Sequence, residues 1–223
     1  MRWLVVLTAL VTIGVACADD RVTLERGPLG PASYEVEVAA EGTELGEHRT
    51  ATLRIDPREG GADFELRTGA GSRITARLRS QDDGTVDLEG VRGVPVDRSG
   101  EAELASLVGQ LAPPLPPEPV RIGERWSSSQ RIRTSTLQAT LRTELGIARF
   151  RRIAGRDAAE LRGTVSGQLR TTTTTGVLSG SLRGTTRIAW AVRSGQVVSA
   201  DTQLVWTLAG GDRVTLRTRV QPR

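Results

Sequence analysis

Apolar and polar side chains alternate with a period of two over most of the chain. Between residues 20 and 98 the pattern recurs at Val22/Leu24, Tyr34/Val36/Val38, Ala51/Leu53/Ile55, Ala62/Phe64/Leu66, Ile74/Ala76/Leu78 and Val86/Leu88. Strands place successive side chains on opposite faces, so each run predicts a strand with one buried and one wet face. Gly27-Pro28, Gly42, Asp56-Pro57, Gly60-Gly61, Gly69/Gly71 and Asp82-Asp83-Gly84 separate the runs and supply turn chemistry. Short strands at this spacing predict an antiparallel sheet.

The period changes once. Over 99–112, Leu104, Leu107, Val108 and Leu111 recur at i, i+3, i+4 and i+7, the stripe of an amphipathic helix. Ser99 suits the N-cap, Glu101 and Glu103 suit the positive end of the dipole, and Pro113-Pro114 stops the helix. Pro113 to Val120 then reads as a stiff extended strap.

Alternation resumes over 124–222, first at Trp126/Ser128/Gln130/Ile132 and Leu137/Ala139/Leu141, then in four long runs near 157–170, 177–192, 197–208 and 213–220. Matching like residues across hairpins predicts a four-stranded meander. The first hairpin pairs Leu169 with Leu178, Gly167 with Gly180, Val165 with Leu182, Gly163 with Gly184 and Ala159 with Ile188, its loop falling in Thr171–Thr175. The second pairs Val192 with Val198, Trp190 with Ala200, Ile188 with Thr202 and Gly184 with Trp206 around Ser194-Gly195-Gln196. The third pairs Leu208 with Val214, Trp206 with Leu216 and Thr202 with Val220 around Gly210-Gly211. This places Trp206 over Gly184, where an aromatic supplies packing that glycine lacks. Together the elements predict a mainly all-β fold: a large curved antiparallel sheet or open barrel of long strands, with one amphipathic helix on the concave side. One β-rich domain over 17–223 is expected, divided into a first half (20–98), the helix (99–112), the strap (113–120) and a second half (121–223).

The start of the chain carries an address. Met1-Arg2 is a short positive region, and Trp3 to Ala16 is apolar apart from Thr8 and Thr12. That run is shorter than the ~20 apolar residues of a membrane span and matches a secretory signal peptide over residues 1–16. Two processing routes stay open. Cleavage between Ala16 and Cys17 would leave a lipidated Cys17, and Ala16-Cys17-Ala18 is also an A-x-A site for cleavage before Asp19. Cys17 is the only cysteine, so it forms no intramolecular disulfide.

Composition narrows the chemistry. The 223 residues carry 30 Arg, no Lys and 26 acids, for a net charge of +4. The sequence pI of 10.6 follows from a small Arg excess with almost nothing titrating at intermediate pH, so nucleic acid is not the expected partner. A single His excludes a His-rich metal site. His48 lies in the polar stretch Glu47-His48-Arg49 and reads as a surface residue, not a base beside a nucleophile. Gly163-Thr164-Val165-Ser166-Gly167 lacks the G-x-S-x-G spacing, and Asp82, Asp83 and Asp87 lack that of a calcium loop. No cofactor or metal is expected. A hydrolase built on a distant carboxylate pair is the least favoured class.

Two features admit a ligand. Gly163, Gly167, Gly180 and Gly184 form a patch on one strand face, either a groove for an apolar ligand lined also by Trp190 and Trp206, or a sharp coil of the sheet. Close backbone approach is the commoner use of strand glycine. Arg73/Arg77/Arg79 and Arg213/Arg217/Arg219 each share a face; they read as solvated, edge-protecting charge, with anionic headgroups as the alternative.

Gly14-Val15-Ala16-Cys17 resembles the lipobox of bacterial lipoproteins, with Gly14 where Leu is usual. In that family the Cys becomes the first residue and its sulfur carries diacylglycerol. Leu111 to Trp126 resembles a group of uncharacterised secreted bacterial lipoproteins whose helix ends near L-P-x-L-P and is followed by P-V-x-x-G-x-x-W and long Thr/Gly-rich strands. Pro119-Val120-Arg121-Ile122-Gly123-Glu124-Arg125-Trp126 matches best. A more distant similarity is to lipoprotein carriers whose curved sheet wraps a helix and holds acyl chains. These resemblances imply a cell-envelope protein anchored to a membrane through its N-terminal lipid, acting as a binding or scaffold module. A carrier of lipid or another apolar ligand is the alternative. Where hosts sort lipoproteins by the next residue, Ala18 permits outer-membrane delivery.

Overall fold

The computed structural model describes residues 21–27, 32–41, 47–58, 61–68, 71, 73–80, 86–93, 107, 110–111, 113–133, 137–173 and 176–223. The expected signal peptide, Ala16 and Cys17 lie outside them. The described chain forms one antiparallel sheet of eleven strands. In chain order these are β1 (Ala32–Glu41), β2 (Glu47–Arg58), β3 (Gly61–Thr68), β4 (Arg73–Ser80), β5 (Val86–Arg92), β6 (Arg125–Arg133), β7 (Leu137–Ile153), β8 (Arg156–Thr173), β9 (Gly176–Ala191), β10 (Gln196–Leu208) and β11 (Arg213–Pro222). The mainly-β antiparallel fold expected from the alternation is what forms.

The spatial order is β5-β4-β3-β2-β1-β11-β10-β9-β8-β7-β6. Two consecutive meanders, β1–β5 and β6–β11, are joined at the middle by the first and last strands. Tyr34 stands opposite Pro222, Val36 opposite Val220 and Val38 opposite Thr218. The edge strands β5 and β6 approach within 8 Å between Cα atoms but are not ladder neighbours, so the sheet curls into an open barrel.

One face of every long strand is buried. Val36, Leu53, Phe64, Leu145, Leu161, Trp190, Trp206, Leu216 and Val220 belong to one core that spans both meanders. Leu107, Gln110 and Leu111 carry helical backbone, and Leu107 and Leu111 join that core. The remainder of the predicted 99–112 helix, with Leu104 and Val108, lies outside the described residues. Val22/Leu24 differs from expectation. It forms no strand; Val22 makes a single antiparallel bridge to Val120 of the strap. β7 extends the Leu137/Ala139/Leu141 run as far as Ile153. Thr143, Leu145 and Ile147 keep its inner face buried, up to a register shift between Ile147 and Arg149.

The four-stranded meander forms as predicted, but its registers are displaced by two residues. Leu169 faces Gly180, Gly167 faces Leu182, Val165 faces Gly184 and Ala159 faces Trp190. Ala200 faces Ile188, Leu204 faces Gly184 and Trp206 faces Leu182. Leu204 faces Leu216 and Trp206 faces Val214. A two-residue slip leaves every side chain on its own face, so the burial pattern could not exclude it. In the first hairpin Gly167, Gly180 and Gly184 meet Leu182, Leu169 and Val165, and Gly163 meets Thr186, so no glycine faces another. In the second, a four-residue turn at 192–195 ends on Gly195 in the left-handed region (φ +61), and the register shifts between Val197 and Ser199. In the third, Leu208 N–H donates to Asp212 O at 2.9 Å, and this tight closure sets the pairing.

Trp206 accordingly covers a different glycine. A Cβ on Gly180 would fall 2.5 Å from Trp206 Nε1, while Leu204 covers Gly184. Cβ atoms at Gly163, Gly167 and Gly184 would collide with the carbonyl oxygens of Glu144, Thr140 and Gln203 on neighbouring strands. The glycines therefore let strongly coiled strands approach. Replacing Gly163 with Ala should destabilise the protein by about 2 kcal/mol, the usual cost of forcing extra carbon into a packed site. Gly210→Ala, where a Cβ meets nothing within 4 Å, should change stability by less than about 1 kcal/mol. Urea unfolding of the two variants checks this contrast.

Candidate functional site

Three regions of the barrel carry chemistry, and the first is the interior beneath the strap. The strap's backbone is tied down by side chains that precede and follow it. Trp126 Nε1–H donates to Pro114 O at 2.8 Å, the Arg26 guanidinium donates to Pro113 O at 3.0 Å, and that of Arg21 to Pro119 O at 3.0 Å. Proline-rich backbone lacks N–H groups, so its carbonyls need donors from elsewhere. Burial pushes the Arg26 guanidinium below its ordinary pKa. Tyr34 Oη donates to Val197 O at 2.9 Å; burial pushes this phenol up, against the opposing charge of Arg156. Tyr34, Ile55, Leu111, Trp190 and Val197 line a void of about 20 Å³, the space of a single water molecule.

The second region is the glycine patch. Gly163, Gly167, Gly180 and Gly184 share the concave face of β8 and β9 and are half-buried. Trp190 and Trp206 are both nearly inaccessible, with buried Nε1 atoms that have no hydrogen-bond partner. Both indoles belong to the hydrophobic core.

The third region, the convex face, holds most of the ionic structure. The Arg stripes weighed in the sequence are neutralised in part. Arg73 contacts Glu65 at 2.6 Å and Arg77 contacts Asp63 at 3.2 Å. Arg79 contacts Glu89 at 3.3 Å. Arg217 reaches Asp201 at 3.0 Å, and Arg219 contacts Glu37 at 3.3 Å and Asp201 at 3.6 Å. Hydrogen bonds from Arg58 and Arg77 hold the Asp63 carboxyl below its ordinary range. Those from Arg67 and Arg73 hold Glu65 down against its partial burial. These exposed pairs are worth little individually but stop the stripe from being a free cationic surface.

Glu160 on β8 differs, because its side chain is only 1% exposed. It accepts hydrogen bonds from Arg162 Nε at 2.7 Å and Arg149 Nε at 3.1 Å. Arg151 Nε stands 2.9 Å away and Arg187 Nε 3.7 Å. Arg162 and Arg187 face each other across the ladder, a repulsive arrangement on its own. Glu160 sits on the same face and joins them. Burial raises its carboxyl pKa, but the bonds from Arg162 and Arg149 and the charge of Arg151 outweigh that, leaving it below the ordinary value. Sequence reading missed this residue. Its neighbours come from three strands, so no local spacing marks the cluster.

His48 lies on β2 opposite Ala39, and Asp82 and Asp83 lie outside the described residues. Among the described residues no group of three His, Cys, Asp or Glu stands where it could hold a metal ion, and no helix is long and apolar enough to cross a membrane.

No family model matches the chain, and no curated protein matches it either. Among solved structures it is similar to a hypothetical lipoprotein, YmcC, of Escherichia coli. The two share 15% identity over 87% of this chain and 85% of that one, with a TM-score of 0.33. A superposition that loose supports no inference about site or activity.

Glu160→Gln keeps the shape of the side chain and removes the charge that holds four guanidiniums together. Its cost at pH 7 should be about 1–2 kcal/mol, because charge-assisted bonds are lost while the guanidiniums left behind are about half exposed and stay hydrated. Because folding depresses this carboxyl's pKa, its contribution is complete above the unfolded value near ~4.3 and fades as pH falls through the folded value. The gap between wild type and Glu160→Gln in denaturant unfolding should therefore close below about pH 4. A gap unchanged at pH 3 would contradict the assignment.

Proposed function

We propose that this chain is an exported bacterial lipoprotein, anchored at the cell envelope by an acylated Cys17, and that its barrel is a non-catalytic binding or scaffold module. The support at the N-terminus is sequence chemistry: a short positive region, an apolar run of signal-peptide length, and the only cysteine directly after Gly14-Val15-Ala16. The observation that carries the reading is how soon the body begins. Arg21, four residues beyond Cys17, is bonded to Pro119 O, and Val22 exchanges backbone hydrogen bonds of 2.8 and 3.0 Å with Val120. Four residues span at most ~14 Å, so an acylated Cys17 would hold the barrel close to the bilayer. More than one acyl chain makes such an anchor stable.

A carrier needs room. Among the described residues, the void between Tyr34, Leu111 and Trp190 holds about 20 Å³, far short of the ~300 Å³ or more of a usual ligand pocket, so this part of the interior favours a scaffold over a carrier. Palmitate labelling in the native host tests the anchor. Wild type should take up label and Cys17→Ala none; equal labelling of the two would overturn the proposal.

A further inference from the structure

The charge of the sheet is divided between its two ends. Residues 125–191, which form β6–β9, contain 12 Arg and three acids, whereas residues 32–92, which form β1–β5, contain 8 Arg and 13 acids. Two of the three acids of the basic end are ion-paired. Glu144 is paired with Arg125 at 2.8 Å, Glu160 lies beneath four guanidiniums, and Asp157 sits beside the β7–β8 turn.

Arg131, Arg142, Arg170 and Arg183 are exposed, and no ion pair among the described residues engages them. They occupy three successive cross-strand rows of the convex face, among neutral donors. In one row Ser129, Arg142, Ser166 and Arg183 follow each other across β6–β9; in the next come Arg131, Thr140, Gln168 and Ser181. Arg170 continues the face beside Gln138 and Ser179. Arg142 and Arg183 flank Ser166, two strand spacings or about 10 Å apart. Planar guanidiniums set among hydroxyl and amide groups match phosphate oxygens.

The chain enters on this side. Arg21 approaches Glu124 at 3.6 Å, next to the first residue of β6, and Gly123 N–H donates to Ile147 O of β7 at 2.9 Å. A membrane-bound Cys17 would thus lie nearer the basic end than the acidic one.

We infer that the convex face of β6–β9, through Arg131, Arg142, Arg170 and Arg183, docks on the phosphate headgroups of an anionic phospholipid bilayer. The choice of a bilayer as partner rests on the anchored reading; the charge division does not. Docking fixes the orientation of the barrel, which a lone N-terminal tether leaves free. The acidic β1–β5 end is then turned away from the surface.

The test removes the acyl contribution. Full-length protein carrying Cys17→Ala, which retains the A-x-A cleavage site through Ala16 and Ala18, is recovered after export and sedimented with vesicles. Vesicles of phosphatidylcholine with one quarter phosphatidylglycerol should bind it at low salt, and pure phosphatidylcholine vesicles should not. Each surface Arg contributes about fivefold in affinity, so the quadruple Arg→Gln variant at 131, 142, 170 and 183 should bind at least ~100-fold more weakly. Binding should also collapse at ~0.5 M salt, where screening is strong. Arg73→Gln/Arg77→Gln, on the ion-paired face, should bind like its parent. Equal binding to both vesicle types, or equal loss in the two sets of variants at unchanged melting temperature, would overturn the inference. Failure of export shows separately, as residues 1–18 retained in the intact mass.

Discussion

The pairing of β1 with β11 is the contact on which the barrel depends. Each meander alone would have an open edge at this place and a concave face covered by nothing of its own. Joining them buries Val36 and Val220 completely and lets one core run from Phe64 on β3 to Trp190 on β9. On the outer side of the same seam Glu37 meets Arg219. The strands that meet lie at opposite ends of the described chain, so the seam closes only when the whole chain has been placed. Such long-range pairing predicts slow folding relative to a helical protein of similar size.

Coiling is the second constraint. Eleven strands in a flat sheet would leave both faces wet, and an open sheet of that width tends to curl. Glycine on β8 and β9 permits the curl by letting carbonyl oxygens of adjacent strands occupy space a side chain would take. Leu204 and Trp206 refill that layer from β10. The strap acts from inside the chain order: it leads from the helical segment to the start of β6, and Trp126, Arg26 and Arg21 fasten its carbonyls. Residues 21–27, which begin four positions after the proposed anchor, are thereby fastened to the strap and to the turn before β10.

Much of this was legible in the sequence because burial acts on every second residue of a strand. Eleven strands, the antiparallel class and the consecutive meander follow from alternation and turn chemistry, whereas the Val22/Leu24 run alternates and makes only a single bridge. Register did not follow, because a slip of two residues preserves the faces; only the complementarity of Leu182 with Gly167, or of Val165 with Gly184, distinguishes the alternatives. The central β1–β11 seam was invisible for a related reason: alternation says which face of a strand is buried and nothing about its neighbour. Glu160 was illegible too, since its four arginines lie on three strands. The charge division could have been counted along the chain, but its meaning needs the strand order, which places β6–β9 at one end and β1–β5 at the other.

The described strands form one sheet, joined across its middle by the first and last strands and tied to residues 21–27, and on this account it opens as one unit. Native-state hydrogen exchange under increasing denaturant measures this most directly. Amides of β1 and β11 should exchange only with the highest-free-energy opening, together with those of β9. If β1–β5 instead exchanged as a separate unit, well below the unfolding free energy of β8–β10, the two meanders would be independent bodies and the seam would not be what holds the molecule together.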